Sequence, residues 1–123
     1  MNIYCFGNEF LEQDFLAMQI ADELSIGRIN FVKCDSPEQL LQDTPEELII
    51  LDVVEGIDKP ILITDVNQLR NADIFSLHDL DLSFFLKLMK ETGHIKEIKI
   101  IGIPMNGNKN KIKGEIANII GNL

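Results

Sequence analysis

The chain has 123 residues, 46% of them apolar, with 20 acidic against 11 basic side chains and a formal net charge of −9. That length suits one domain, residues 1–123, able to bury roughly two thirds of its extended-chain surface. The acidic balance argues against nucleic acid or an anionic membrane surface as partner, since both need clustered Lys and Arg, and it is compatible with a basic partner or a cation.

The first element begins almost at once. Ile3-Tyr4-Cys5-Phe6 is a short, continuously apolar run, a buried type of strand over residues 2–6, and it leaves no room for a signal peptide. Gly7-Asn8-Glu9-Phe10-Leu11-Glu12-Gln13-Asp14 follows as a loop that ends on an acid at a helix start. The helix is expected over about 13–24, with Ala17, Ile20, Ala21 and Leu24 on one face and Gly27 as its stop. Residues 29–34 form the second strand. Ser36-Pro37-Glu38-Gln39 has the order of an N-cap, a first-turn proline and a capping-box partner, and opens a short helix to about residue 42.

Leu48-Ile49-Ile50-Leu51-Asp52-Val53-Val54 is the strongest strand, apolar enough to be central and covered on both faces. An ionised Asp cannot sit unpaired in such a core, so Asp52 is expected to emerge at the sheet edge, in a cleft. Pro60-Ile61-Leu62-Ile63-Thr64 starts only a few residues later. A parallel crossover needs a dozen or more residues, so this fourth strand should run antiparallel, and Pro60 suits an edge. A polar loop over 67–76 leads to Leu77-His78-Asp79, and a helix is expected over about 80–92, stopped by Gly93. The fifth strand is expected over 97–103. A last helix is expected over 111–120, with Ile112, Ile116, Ile119 and Ile120 inward. The order β-α-β-α-β-β-α-β-α describes a three-layer α/β/α sandwich around a mixed, mostly parallel five-stranded sheet with an antiparallel fourth strand.

No apolar run reaches the roughly 18 residues that membrane insertion requires. Cys5 and Cys34 are the only cysteines; without Cys-x-x-Cys spacing they read as buried thiols in a reducing cytosol. Chemistry is concentrated in Asp14, Asp52 and His78, each just after a strand or at a helix entry. Two carboxylates and an imidazole suit a divalent or transition metal. Taken singly, each has a plain structural role: a first-turn acid, an acceptor in a turn, a capping residue.

These segments together resemble the [NiFe]-hydrogenase maturation endopeptidases. That family carries Gly-Asn-x-Leu-x-x-Asp-Asp/Glu after its first strand, an Asp closing a strand of the form Leu-Ile-Ile-x-Asp, a Ser-x-His ahead of a helix, and a strand ending near Gly-Ile/Val. Here the matching segments are Gly7 to Asp14, Leu48 to Asp52, Ser76-Leu77-His78 and Ile100-Ile101-Gly102-Ile103, in the same order. The resemblance implies a cytoplasmic endopeptidase that removes the C-terminal peptide of a hydrogenase large-subunit precursor. It implies that Asp14, Asp52 and His78 contact nickel carried by that precursor, with no tightly bound cofactor of the enzyme's own, and that Gly7 and Asn8 form a binding loop. The chain departs from the family pattern at Gln13, in place of the first acid, and at Phe15, in place of a small residue. It also departs at Cys34-Asp35-Ser36-Pro37, in place of Gly-Gly-Thr, and at Pro104-Met105-Asn106, in place of Pro-Glu.

The runner-up is a non-catalytic relative that binds a metal-loaded partner without cutting it. A receiver-like signalling domain ranks lower, because Glu9 and Glu12 substitute poorly for its paired acids and no Lys follows Ile103 directly. A Cys34–His78 thiol dyad is a minor alternative. There is no Gly-x-Ser-x-Gly for a serine hydrolase and no Gly-x-Gly-x-x-Gly or phosphate loop for a nucleotide.

Overall fold

A computed structural model of the chain describes residues 2–6, 16–24, 27, 29–34, 47–64, 75–76, 91–93 and 97–123. Its strands are β1 (Asn2–Phe6), β2 (Asn30–Cys34), β3 (Glu47–Glu55), β4 (Ile61–Ile63), β5 (Phe75–Ser76) and β6 (Glu97–Pro104). The described helices are α1 (Leu16–Glu23) and α2 (Lys109–Gly121). The helices expected over 37–42 and over most of 80–92 fall outside the described residues. Glu91 is helical, and Gly93 follows at φ 82, a left-handed conformation that glycine adopts without steric cost.

The sheet runs β2-β1-β3-β6-β4. β1 pairs in parallel with β2 and with β3, and β3 in parallel with β6. β4 runs antiparallel, as the short connection before it required, but against β6. Residues 56–60 therefore pass over the carboxyl end of β6 to reach its far side. β5 is a two-residue addition to the five expected strands, antiparallel to β3 with Val54 opposite Ser76 and Glu55 opposite Phe75.

β3 is the spine. Every residue from Leu48 to Val54 is buried, with only the terminal glutamates exposed. Its alternate side chains enter two cores. Ile49, Leu51 and Val53 join Ile3, Cys5, Ile101 and Ile103 on the face covered by α1 and α2, through Ile20, Ile112, Ile116 and Ile120. Leu48, Ile50 and Val54 join Tyr4, Phe6, Cys34, Ile98 and Ile100 on the other face. Both faces of the sheet are buried, as the middle layer of an α/β sandwich requires, and the described helices α1 and α2 lie on the first of them. Each fully buried aliphatic side chain contributes about 1.5–3 kcal/mol of transfer free energy.

α2 starts where its local chemistry starts it. Asn108 is extended, and its Oδ1 accepts from the Lys111 N–H at 3.1 Å, satisfying one orphan donor of the first turn. Ile112, Ile116 and Ile120 recur every four residues and are buried. The helix ends with the Asn122 side chain donating to the Asn118 carbonyl at 2.9 Å. α1 ends at Glu23, ahead of the stop expected at Gly27, which lies in a turn. The two helices are tied by Glu23, which accepts from Lys109 at 2.7 Å and from Lys113 at 3.4 Å.

Candidate functional site

Asp52 lies within β3, not at its end. It stands on a rung that crosses four strands: Phe6 of β1 lies opposite it on one side, Gly102 of β6 on the other, and Ile61 of β4 lies beyond Gly102. Strand alternation puts Asp52 on the face of Ile50 and Val54, opposite the face that α1 and α2 cover. It is 1% exposed, the one buried charged residue among those described. The emergence into a cleft expected from the sequence is therefore not seen at Asp52. The reason is that β3 continues for three residues, with Val53 and Val54 paired to Ile103 and Pro104.

The rung of Asp52 is nevertheless the rung at which β1 ends, with Phe6 as its last residue. β5 joins β3 on this flank, through Ser76 opposite Val54, two residues beyond the acid on the same face. Gly7, Asn8, Asp14 and His78 lie outside the described residues. Among the described residues no three His, Cys, Asp or Glu side chains converge as a metal-binding group.

The cysteines offer no competing nucleophile. Cys34 is 2% exposed and its thiol faces the Val32 carbonyl at 3.7 Å. Cys5 is fully buried, and burial, followed by the neighbouring Cys34, pushes its thiol up to about 12. Thiolate character, on which nucleophilicity depends, is suppressed there.

A cleft of about 120 Å³ opens at the carboxyl end of the sheet, where residues 56–60 approach the start of α2. Asp58, Lys59, Pro60, Asn108, Lys111 and Glu115 line it, with both charge signs present. Sequence reading passed over it because its walls come from two turns and the start of α2, brought together by segments some fifty residues apart. It also passed over Gly102 as a neighbour of Asp52, since register between strands some fifty residues apart is not written locally.

Comparison with known proteins places these features in context. A family model described as HycI, hydrogenase maturation protease, matches residues 37–122, more than half of the chain. Among solved structures, the chain is similar to the [NiFe] hydrogenase maturation protease HybD from Thermococcus kodakarensis. The TM-score is 0.71 and the identity 19%, covering 99% of this chain and 97% of that one. It is similar also to the hydrogenase 3 maturation protease, with TM-score 0.69, 18% identity and coverage of 95% and 86%. The endopeptidase HycI from Escherichia coli matches with TM-score 0.66, 17% identity and coverage of 96% and 87%. No curated protein matches the chain in sequence.

Proposed function

The chain belongs to the hydrogenase maturation protease family, and from that membership we propose that it is the endopeptidase that removes the C-terminal extension of a nickel-loaded hydrogenase large-subunit precursor. The observation that carries this reading is Asp52. A carboxylate at 1% exposure in an otherwise apolar strand is not there for packing, because taking an ionised group out of water costs several kcal/mol that an apolar side chain in its place would not. Acids are held in such places chiefly where a site needs them.

In this reading Asp14, Asp52 and His78 contact nickel that the precursor already holds, and Gly7 and Asn8 shape the loop beside them. Gly7 follows Phe6 in the chain, and Phe6 stands opposite Asp52. His78 follows two residues after Ser76, and Ser76 stands opposite Val54. Consecutive Cα atoms are about 3.8 Å apart, so both segments start within reach of the acid. Two carboxylates and one imidazole are a weak set for zinc or nickel held alone, but they complete the shell of an ion that precursor thiolates already bind. Cutting then depends on the metal being in place. The ion, as a Lewis acid, polarises the scissile carbonyl or a bound water; water adds to the carbonyl carbon, and the C–N bond breaks to free an amine and a carboxylate. The protein is expected to work in the cytoplasm.

The test is incubation of the purified protein with nickel-loaded and nickel-free precursor, followed by gel electrophoresis and mass spectrometry of the released peptide. Cleavage of the loaded form alone is expected. Equal cleavage of both, or of neither, overturns the reading.

A further inference from the structure

Gly102 is the member of the Phe6–Asp52–Gly102–Ile61 rung that carries no side chain. A Cβ placed there would lie 3.2 Å from Val54 Cγ2, 3.5 Å from Ile57 Cδ1 and 3.5 Å from Ile61 Cγ1. Those three neighbours come from β3, from the connection over residues 56–60 and from β4. The glycine leaves the space through which that connection crosses β6 and lays Ile57 and Ile61 onto the same face as Asp52.

Val54 is the close contact. It is buried and β-branched, so its χ1 has little freedom to swing aside. Relief of a 3.2 Å contact takes a shift of a few tenths of an ångström, and with χ1 restricted that shift is expected on the β3 backbone. The residue that moves pairs with Ser76 of β5 and sits two positions from Asp52 on the same face.

We infer that Gly102 is a positioning residue for precursor cleavage: by lacking a side chain it sets, through Val54, where β3 and β5 meet beside Asp52. The inference rests on the proposed role of Asp52 at the substrate's metal. Reacting groups need placement within about 0.5 Å. Displacement by a few tenths of an ångström is therefore expected to lower the cleavage rate about tenfold, since a 1 Å error costs about a hundredfold.

The experiment compares wild type, Gly102→Ala, Val54→Ala and the double variant, measuring kcat and KM for the nickel-loaded precursor beside thermal melts. Gly102→Ala is expected to lower kcat about tenfold with KM within about twofold, because it lies inside the sheet and not on a docking surface. The double variant, in which Val54 Cγ2 is gone, is expected to cut as fast as Val54→Ala alone. A folded Gly102→Ala protein with wild-type kcat overturns the inference and leaves the proposed function intact. If Gly102→Ala does not fold, the double variant decides. Cleavage at the Val54→Ala rate supports the Val54 route, and a folded double variant still tenfold slower overturns it. Wild-type protein that cuts no loaded precursor removes the proposed function and the inference together.

Discussion

Phe6 and Asp52 stand directly opposite each other across a parallel ladder, so β1 releases its chain at the rung where β3 carries its carboxylate. In the proposed reading this rung is one wall of the site, in keeping with ligand binding at the carboxyl ends of parallel strands.

Asp52→Asn keeps the shape of the side chain and removes its charge. It is expected to fold and to cut nickel-loaded precursor at least about a hundredfold more slowly, the scale seen when one electrostatic contact is lost from a reaction centre. Asp14→Asn and His78→Ala are expected to behave alike, and Gln13→Ala to be much milder. A cleavage gel run beside a thermal melt checks this. Folded variants that cut at the normal rate rule out the metal-contact assignment.

The isolated protein is expected to bind nickel, zinc or cadmium weakly and to lose them on dialysis, since two carboxylates and one imidazole leave the coordination shell incomplete. Elemental analysis after chelation and buffer exchange measures this. Stoichiometric metal surviving that treatment argues for an ion of the enzyme's own.

The helix-bearing core has a contrast built into it. Ile116 is fully buried between α2 and the sheet, whereas Leu62 on the edge strand β4 is 38% exposed. Ile116→Ala should lower unfolding stability by about 2–5 kcal/mol through lost burial and a cavity. Leu62→Ala should change it by about half a kcal/mol or less. Urea titrations of the two variants decide; comparable losses contradict the two-core packing.

Glu23 joins α1 to α2, and the hydrogen bond from Lys109, with Lys113 beside it, holds its carboxyl below the ordinary value of 4.5. Because the folded value lies below the unfolded one, the tie contributes above the ordinary carboxylate range and is lost as pH falls through the folded value. Glu23→Gln is expected to melt about two degrees lower than wild type at neutral pH, the modest effect of an exposed pair. The two curves should converge in acid. Melts across a pH series measure it, and a gap that persists or widens in acid contradicts the assignment.

Much of this architecture is legible in the chain. Apolar runs at 3–6, 48–51 and 100–101 mark strands because a sheet covered on both faces needs largely apolar strands, and Ile112, Ile116 and Ile120 mark α2 by their spacing. The short connection before Pro60 announces the direction of β4 but not its neighbour, because β6 takes the place between β3 and β4 from far along the chain. β5 is too short to carry a period. The depth of Asp52 was misjudged for a related reason. An acid after four apolar residues looks like an exit, while the partners that extend β3 past it, Ile103, Pro104 and Ser76, are distant in sequence. Of the candidate site, Asp52 alone falls within the described residues.

The threading of residues 56–60 over the end of β6 bears on how the chain folds. β3 and β4 are synthesised before β6, yet they meet only through it, across Glu97–Pro104. Until then β3 has one long edge without its final partner, and β4, among the described strands, has none to join. Pairing of Glu47 with Glu97 closes a long loop, so assembly of the sheet centre is a slow, non-local step that waits for β6. A nascent chain stalled before residue 97 exposes that edge, and it is there that chaperone holding or aggregation competes with folding.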